Sequence, residues 1–191
     1  MLDDFRRWLG PVHVVITGGE ALLKAYTIDL VKHASSIGLF VEPLSHGFWK
    51  DQEKIEQLAR ARPSRVTISF DGIGATHSLI RGRDGCFEKT ETTIQTLKRA
   101  RKEQRFPEVI RLKTVIMQQN LDDVCEIARF ARREDLEVFY QPIEQNCDRV
   151  QDGQEVVSIT LHPGIARSQH QASHADRKQK DQRQKIFTKL L

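Results

Sequence analysis

Five short apolar runs open near residues 12, 39, 65, 109 and 136, and a segment with helical spacing follows each of the first four. The steps between them are 27, 26, 44 and 27 residues. A strand-plus-helix unit repeated at that length predicts an α/β protein with a parallel sheet, because parallel neighbours must be joined by a long crossover. The chain itself opens on a helix at 3–9, so the pattern is entered partway through a unit. Phe5, Trp8 and Leu9 form the expected apolar side of that helix, and Gly10-Pro11 ends it.

The first unit contains Val14-Val15-Ile16-Thr17-Gly18-Gly19-Glu20. Four β-branched residues predict a buried strand, and two glycines let bare backbone approach a ligand. A carboxylate then opens the next helix. In parallel α/β proteins chemistry sits at such strand ends, although a first-turn acid facing a helix dipole is the plainer role for Glu20. The next helix carries Leu30, Val31, Ala34 and Ile37. Strand Leu39–Val41 runs toward Ser45-His46-Gly47, and a short helix spans 51–61. The third strand, Val66–Phe70, opens into Asp71-Gly72. An oversized loop bearing His77, Arg81, Gly82 and Gly85 comes next, and loops of that size are usually functional. A helix at 87–103, a strand at 109–116 and a helix at 121–133 capped by Asn120 follow. The fifth strand, Leu136–Tyr140, ends in Gln141-Pro142.

The formal charge is +4, but residues 165–191 alone carry seven Lys/Arg against two Asp. The body is therefore close to neutral, which argues against a nucleic-acid surface. No apolar run approaches a membrane span and the N-terminus has no secretory pattern, so a cytoplasmic protein without membrane partners is expected. Cys86, Cys125 and Cys147 are too widely spaced for a disulfide framework or metal knuckle. Cys125, aligned with Val124, Ala128 and Ala131, reads as a core residue. The division expected is a folded region over 1–150 and a polar, basic, poorly ordered tail over 151–191. Within that tail Val156–Ile159 has strand character, and His170 and His174 lack a third metal ligand.

Taken together, the strand ends resemble the radical S-adenosylmethionine (radical SAM) superfamily, in particular its peptide-modifying and maturase-like branch. Thr17-Gly18-Gly19-Glu20 is similar to the GGEP motif, with Ala21 in place of proline. Ser45-His46-Gly47 stands where the family has TNG. Ser69-Phe70-Asp71-Gly72 is similar to the S-[LIF]-D-G strand end. His77 to Gly82, with Gly85-Cys86-Phe87, resembles the H-D-x-x-R-G-x-x-G-x-F loop, and Asn120-Leu121 matches an asparagine-leucine pair. The resemblance covers about residues 12–142 and implies a partial (β/α) barrel of about five parallel units, incomplete at the N-terminus. It implies S-adenosylmethionine (SAM) as cofactor and a peptide or small-molecule substrate.

By resemblance, Glu20 and the backbone of Gly18 and Gly19 take the methionine ammonium. Arg81 clamps the methionine carboxylate, and Ser69 contacts ribose or carboxylate. Ser45, His46, Asp71 and Gln141 complete the candidate cofactor set. A surface ion pair for Arg81, an Asx turn for Asp71 and a core-rim amide for Gln141 are the plainer alternatives. The family holds a [4Fe–4S] cluster through CxxxCxxC, and no such triad occurs here. The chain alone is therefore not expected to hold the cluster. The reading is a SAM-binding core of an enzyme that generates a 5′-deoxyadenosyl radical, truncated and inactive as it stands, with no catalytic residue assigned. Loss of a first unit would leave an open sheet edge unless something covers it. The alternatives are a non-catalytic SAM-binding subunit and a hydrolase with a metal held by Glu20, His46, Asp71 and His77.

Overall fold

In β1 (His13–Thr17), Val14 and Ile16 are fully buried while His13, Val15 and Thr17 lie on the opposite face. The apolar side chains of β3 (Arg65–Ser69) and β4 (Val109–Ile116) follow the same spacing and bury Val66, Ile68, Ile110 and Leu112. A computed structural model describes residues 1–142 and 158–162 of the protein. With β2 (Phe40–Ser45) and β5 (Glu137–Pro142), these strands run parallel in the order β5-β4-β3-β2-β1. Strand order that follows chain order winds one way, as in a barrel, and does not reverse as in a doubly wound sheet. The buried strand residues form one core with Leu22, Val31, Ala34, Ile55, Leu58, Ile94, Leu97, Ile127 and Phe130 from the connecting segments. Burying each large aliphatic side chain contributes about 1.5–3 kcal/mol.

The helices are α1 (Leu2–Leu9), α2 (Thr27–Ser36), α3 (Glu53–Arg60), α4 (Ala75–Arg81), α5 (Cys86–Gln104) and α6 (Val124–Glu134). No helix of the described residues is long and apolar enough to cross a membrane. Four details depart from expectation. First, the stretch bearing His77 and Arg81 contains α4, which ends on left-handed Gly82. Second, β2 runs through Pro43 to Ser45. Phe40 N–H bonds toward β1, so by alternation the N–H missing at Pro43 would face β3, where the ladder starts only at Leu44.

Third, Cys125 is exposed, and α6 buries Ile127, Phe130 and Ala131. Two apolar faces shared Ala131, and the one with larger side chains removes more area from water. Fourth, α1 buries Leu2 and packs Phe5 on the core while Trp8 and Leu9 stay exposed. Arg6 Nε donating to Ile37 O at 3.0 Å and the Asp3–His33 pair tie this helix to α2 and fix its roll.

The free edge of β1 is occupied. β6 (Ser158–His162) pairs with it antiparallel, from His13↔His162 to Thr17↔Ser158. This satisfies the backbone groups an open edge would expose. Cys147, Val156, Val157, His170, His174 and the segment 165–191 lie outside the described residues.

Candidate functional site

Beyond Thr17 the exposed Gly18 and Gly19 carry the chain off β1, with Gly18 at φ 150°. Glu20 then caps a one-turn 3₁₀ helix, Ala21–Leu23, its Oε1 accepting Leu22 N–H at 3.2 Å. Its Oε2 accepts the backbone N–H of His46 at 2.6 Å and the Ser45 hydroxyl at 3.2 Å, and His46 Nε2 lies 3.4 Å away. Ser45 and His46 stand where β2 ends, so the tips of neighbouring strands meet on this carboxylate. Glu20 is 7% exposed. Burial raises its carboxyl above the usual range, and the bonds from His46, Leu22 and Ser45 act against that rise.

His46 Nδ1 accepts Phe48 N–H at 2.8 Å, which leaves the ring proton on Nε2. Burial, with the charges of Arg83 and Arg81, holds His46 down to about 4, so it is neutral at neutral pH. Its ring lies 5.1 Å from that of Trp49. Trp49 Nε1–H donates to Ser45 Oγ at 3.0 Å.

A second group forms where β3 and β4 end. Asp71 is buried; its Oδ1 accepts Val115 N–H at 2.9 Å and its Oδ2 meets Arg81 Nη2 at 2.6 Å. Asp71 therefore bridges strand ends and takes Arg81 as partner, which is neither an Asx turn nor a surface ion pair. Asn120 is also fully buried. Its Nδ2 donates to Asp71 O (2.9 Å) and Val115 O (2.8 Å), while Oδ1 accepts Met117 N–H. Expected as a simple helix cap, Asn120 is a staple between β3 and β4.

His77, fully buried, accepts Asp71 N–H on Nδ1 at 3.1 Å and places Nε2 3.4 Å from Thr90 Oγ1. It stacks on Phe70 and is held down to about 4 by burial and Arg81. The two groups adjoin. A Cβ on Gly47, at φ +77°, would sit 2.8 Å from methyls of both Ile68 and Thr90. Arg81's charge is felt at His46 and His77 alike.

On the sheet face opposite the helices, register brings Ser69 beside Lys113 and Val115 beside Gln141. Ser69 is half-buried at its strand end, and Gln141 is half-buried one residue before Pro142. Nearer the strand starts, Glu42 gathers His13 Nε2 (2.8 Å), Arg65 Nη1 (3.1 Å), Thr67 Oγ1 (2.5 Å) and Arg111 Nη1 (3.4 Å). Glu137 closes the row through Arg111 at 2.9 Å.

Glu20, Ser45 and His46 thus touch one another, and Asp71, Arg81 and His77 form the adjoining group. Ser69 and Gln141 stand near the ends of β3 and β5. Glu20, His46, Asp71 and His77 do not gather as metal ligands: no group of three or more His, Cys, Asp or Glu among the described residues could hold a metal ion. That overturns the hydrolase reading. Sequence reasoning missed Trp49 and the bridging role of Asn120. The signal for Trp49 was its place four residues after Ser45, just beyond a glycine.

The profile of the radical SAM superfamily matches residues 2–131. The chain belongs to that superfamily. Sporulation killing factor maturation protein SkfB of Bacillus subtilis is 28% identical over 166 residues, covering 86% of this chain and 39% of SkfB. PqqA peptide cyclase of Rhodopseudomonas palustris is 29% identical over 141 residues, 72% of this chain and 36% of the cyclase. The chain thus spans less than half the length of either relative. A crystal structure of Streptococcus suis SuiB bound to S-adenosylmethionine shares the fold, with a TM-score of 0.55 at 12% identity over 75% of this chain and 32% of SuiB. As a radical SAM protein the chain carries its five parallel strands in the singly wound order of a partial barrel.

Proposed function

We propose that this chain binds S-adenosylmethionine across the C-terminal ends of β1–β5, as the cofactor-holding part of a radical SAM protein acting on a peptide substrate. One observation carries the reading. Arg81 Nε is buried with no hydrogen-bond partner among the described residues, while Glu20 Oε1 accepts a single bond. An open donor and an open acceptor at adjoining strand ends suit the carboxylate and ammonium of an amino acid. Asp71 holds Arg81 in place for the carboxylate, and Gly18 and Gly19 leave backbone free to approach the ammonium. Ser69, Gln141, Ser45 and His46 line the remainder. Bound there, SAM supplies a sulfonium carbon–sulfur bond open to one-electron cleavage. The peptide substrate is supported by the likeness to PqqA peptide cyclase.

The cluster does not fit the described cysteines. Cys86 is buried at the start of α5 with its thiol pushed up by burial, and Cys125 is exposed on α6. Those cysteines favour a second reading, a SAM-binding subunit without chemistry of its own. Calorimetry with SAM tests the shared core of both readings: binding by the chain and its loss in Glu20→Gln are expected, and no heat at millimolar SAM would end both. Anaerobic iron–sulfide reconstitution separates them, since a stoichiometric cluster chromophore supports the enzyme and its absence supports the subunit.

A further inference from the structure

The hydrogen bonds around Ser45 leave its hydroxyl no choice of direction. A serine hydroxyl has one proton to give and two lone pairs to accept with. Gly47 N–H donates to Ser45 Oγ at 3.2 Å and Trp49 Nε1–H donates to it at 3.0 Å. Both lone pairs are used, so the proton must lie along the third contact, Glu20 Oε2 at 3.2 Å. The histidine beside it is fixed by the same counting. His46 Nδ1 is occupied by Phe48 N–H, so its proton is on Nε2, 3.4 Å from the same Glu20 oxygen. With His46 N–H at 2.6 Å, Oε2 accepts two protons, from the Ser45 hydroxyl and the His46 backbone, and neither donor can turn away. Oε1 holds only Leu22 N–H.

We infer that Trp49 is a positioning residue for Glu20, acting through Ser45 to keep the carboxylate ionised and to leave Oε1 as the oxygen that meets a ligand. Its consequence for ligand binding rests on the SAM reading given above; the wiring itself does not. Without the indole N–H, one lone pair of Ser45 is released and the hydroxyl can rotate toward another acceptor. Glu20 then loses a donor in a buried setting where each one offsets the cost of its charge. The ring of Trp49 also packs on His46 and on the core, so a purely structural role is the alternative to be separated.

A double-mutant cycle separates them, using Trp49→Phe, Ser45→Ala and the pair in the full chain. Phe keeps an aromatic ring but removes the N–H together with the second ring, and the Ser45→Ala background separates the N–H from the lost packing and the contact with Lys54 at 5.3 Å. Two readouts are taken: the Glu20 carboxyl titration by ¹³C NMR without ligand, and SAM affinity by calorimetry. Trp49→Phe is expected to move the Glu20 titration further upward and to weaken SAM roughly threefold to tenfold, the worth of about one hydrogen bond. In the Ser45→Ala background the same change is expected to do neither, because its route is already cut. Additive effects in the two backgrounds, or an unmoved titration, would overturn the inference. If wild type fails to bind SAM while the titration cycle still shows coupling, the SAM reading falls and the wiring stands.

Discussion

Glu42 offers the sharpest energetic test, because four strands converge on one carboxylate. It lies on β2 at 4% exposure, and it takes His13 from β1, Arg65 and Thr67 from β3 and Arg111 from β4. Burial alone would push its carboxyl up. The bonds from His13 and Thr67 and the charge of Arg65 outweigh burial and bring it from 4.5 to about 2. That gap of about 2.5 units, at 1.36 kcal/mol each, makes ionised Glu42 worth about 3 kcal/mol to the folded state at neutral pH. The sign follows from the depressed folded value: the contribution is complete above pH 4.5 and is lost as pH falls through 2.

Glu42→Gln removes the charge and leaves Arg65 and Arg111 half-buried, sharing Glu137 as their remaining carboxylate among the described residues. The expected loss is about 3–5 kcal/mol, as for breaking a buried pair from one side. Urea unfolding at pH 7 reads it as a lower midpoint, and repeating the series at pH 4.5 and 2.5 shows the variant missing part of the wild-type acid loss. A variant within about 0.5 kcal/mol of wild type, or one with the full acid loss, would refute the convergence argument.

Three further outcomes follow from the same contacts. His77 is held from 6.5 down to about 4, so its contribution is constant above pH 6.5 and is lost as pH falls toward 4, by about 3 kcal/mol; His77→Gln should flatten that part of a stability-versus-pH series. Gly47→Ala combines φ +77° with a Cβ 2.8 Å from two methyls and should cost about 1–3 kcal/mol, seen as a lower Tm. Asn120→Ala strands the carbonyls of Asp71 and Val115, so it should cost about 1–3 kcal/mol and weaken SAM by loosening the Asp71–Arg81 pair, measured by unfolding and calorimetry together.

The placement of several candidate residues at strand ends was legible in the sequence. Gly-Gly-Glu after a β-branched run predicted a turn with a carboxylate at a strand tip, and Glu20 stands there. Ser69-Phe70-Asp71 likewise predicted a strand end, although the partner of Asp71 did not follow from it. A loop of that composition contains Gly74, Gly82 and Gly85, which hid the short α4 between them. Cys125 failed for a different reason, since two overlapping apolar faces on α6 differ only in side-chain size and the sheet beneath chose the larger.

The alternation of strands and helices, the parallel sheet and the place of the acid and glycines belong to the sequence alone, because periodicity and backbone preference act within a few residues. Three things needed the folded chain: Trp49 reaching Glu20 through Ser45, Arg81 settling on Asp71, and β6 lying along β1. Glu20 and Ser45 stand 25 residues apart, and Asp71 and Asn120 stand 49 apart. Which polar groups at such separations share a bond depends on which strands become neighbours and how far each extends, and only packing decides that.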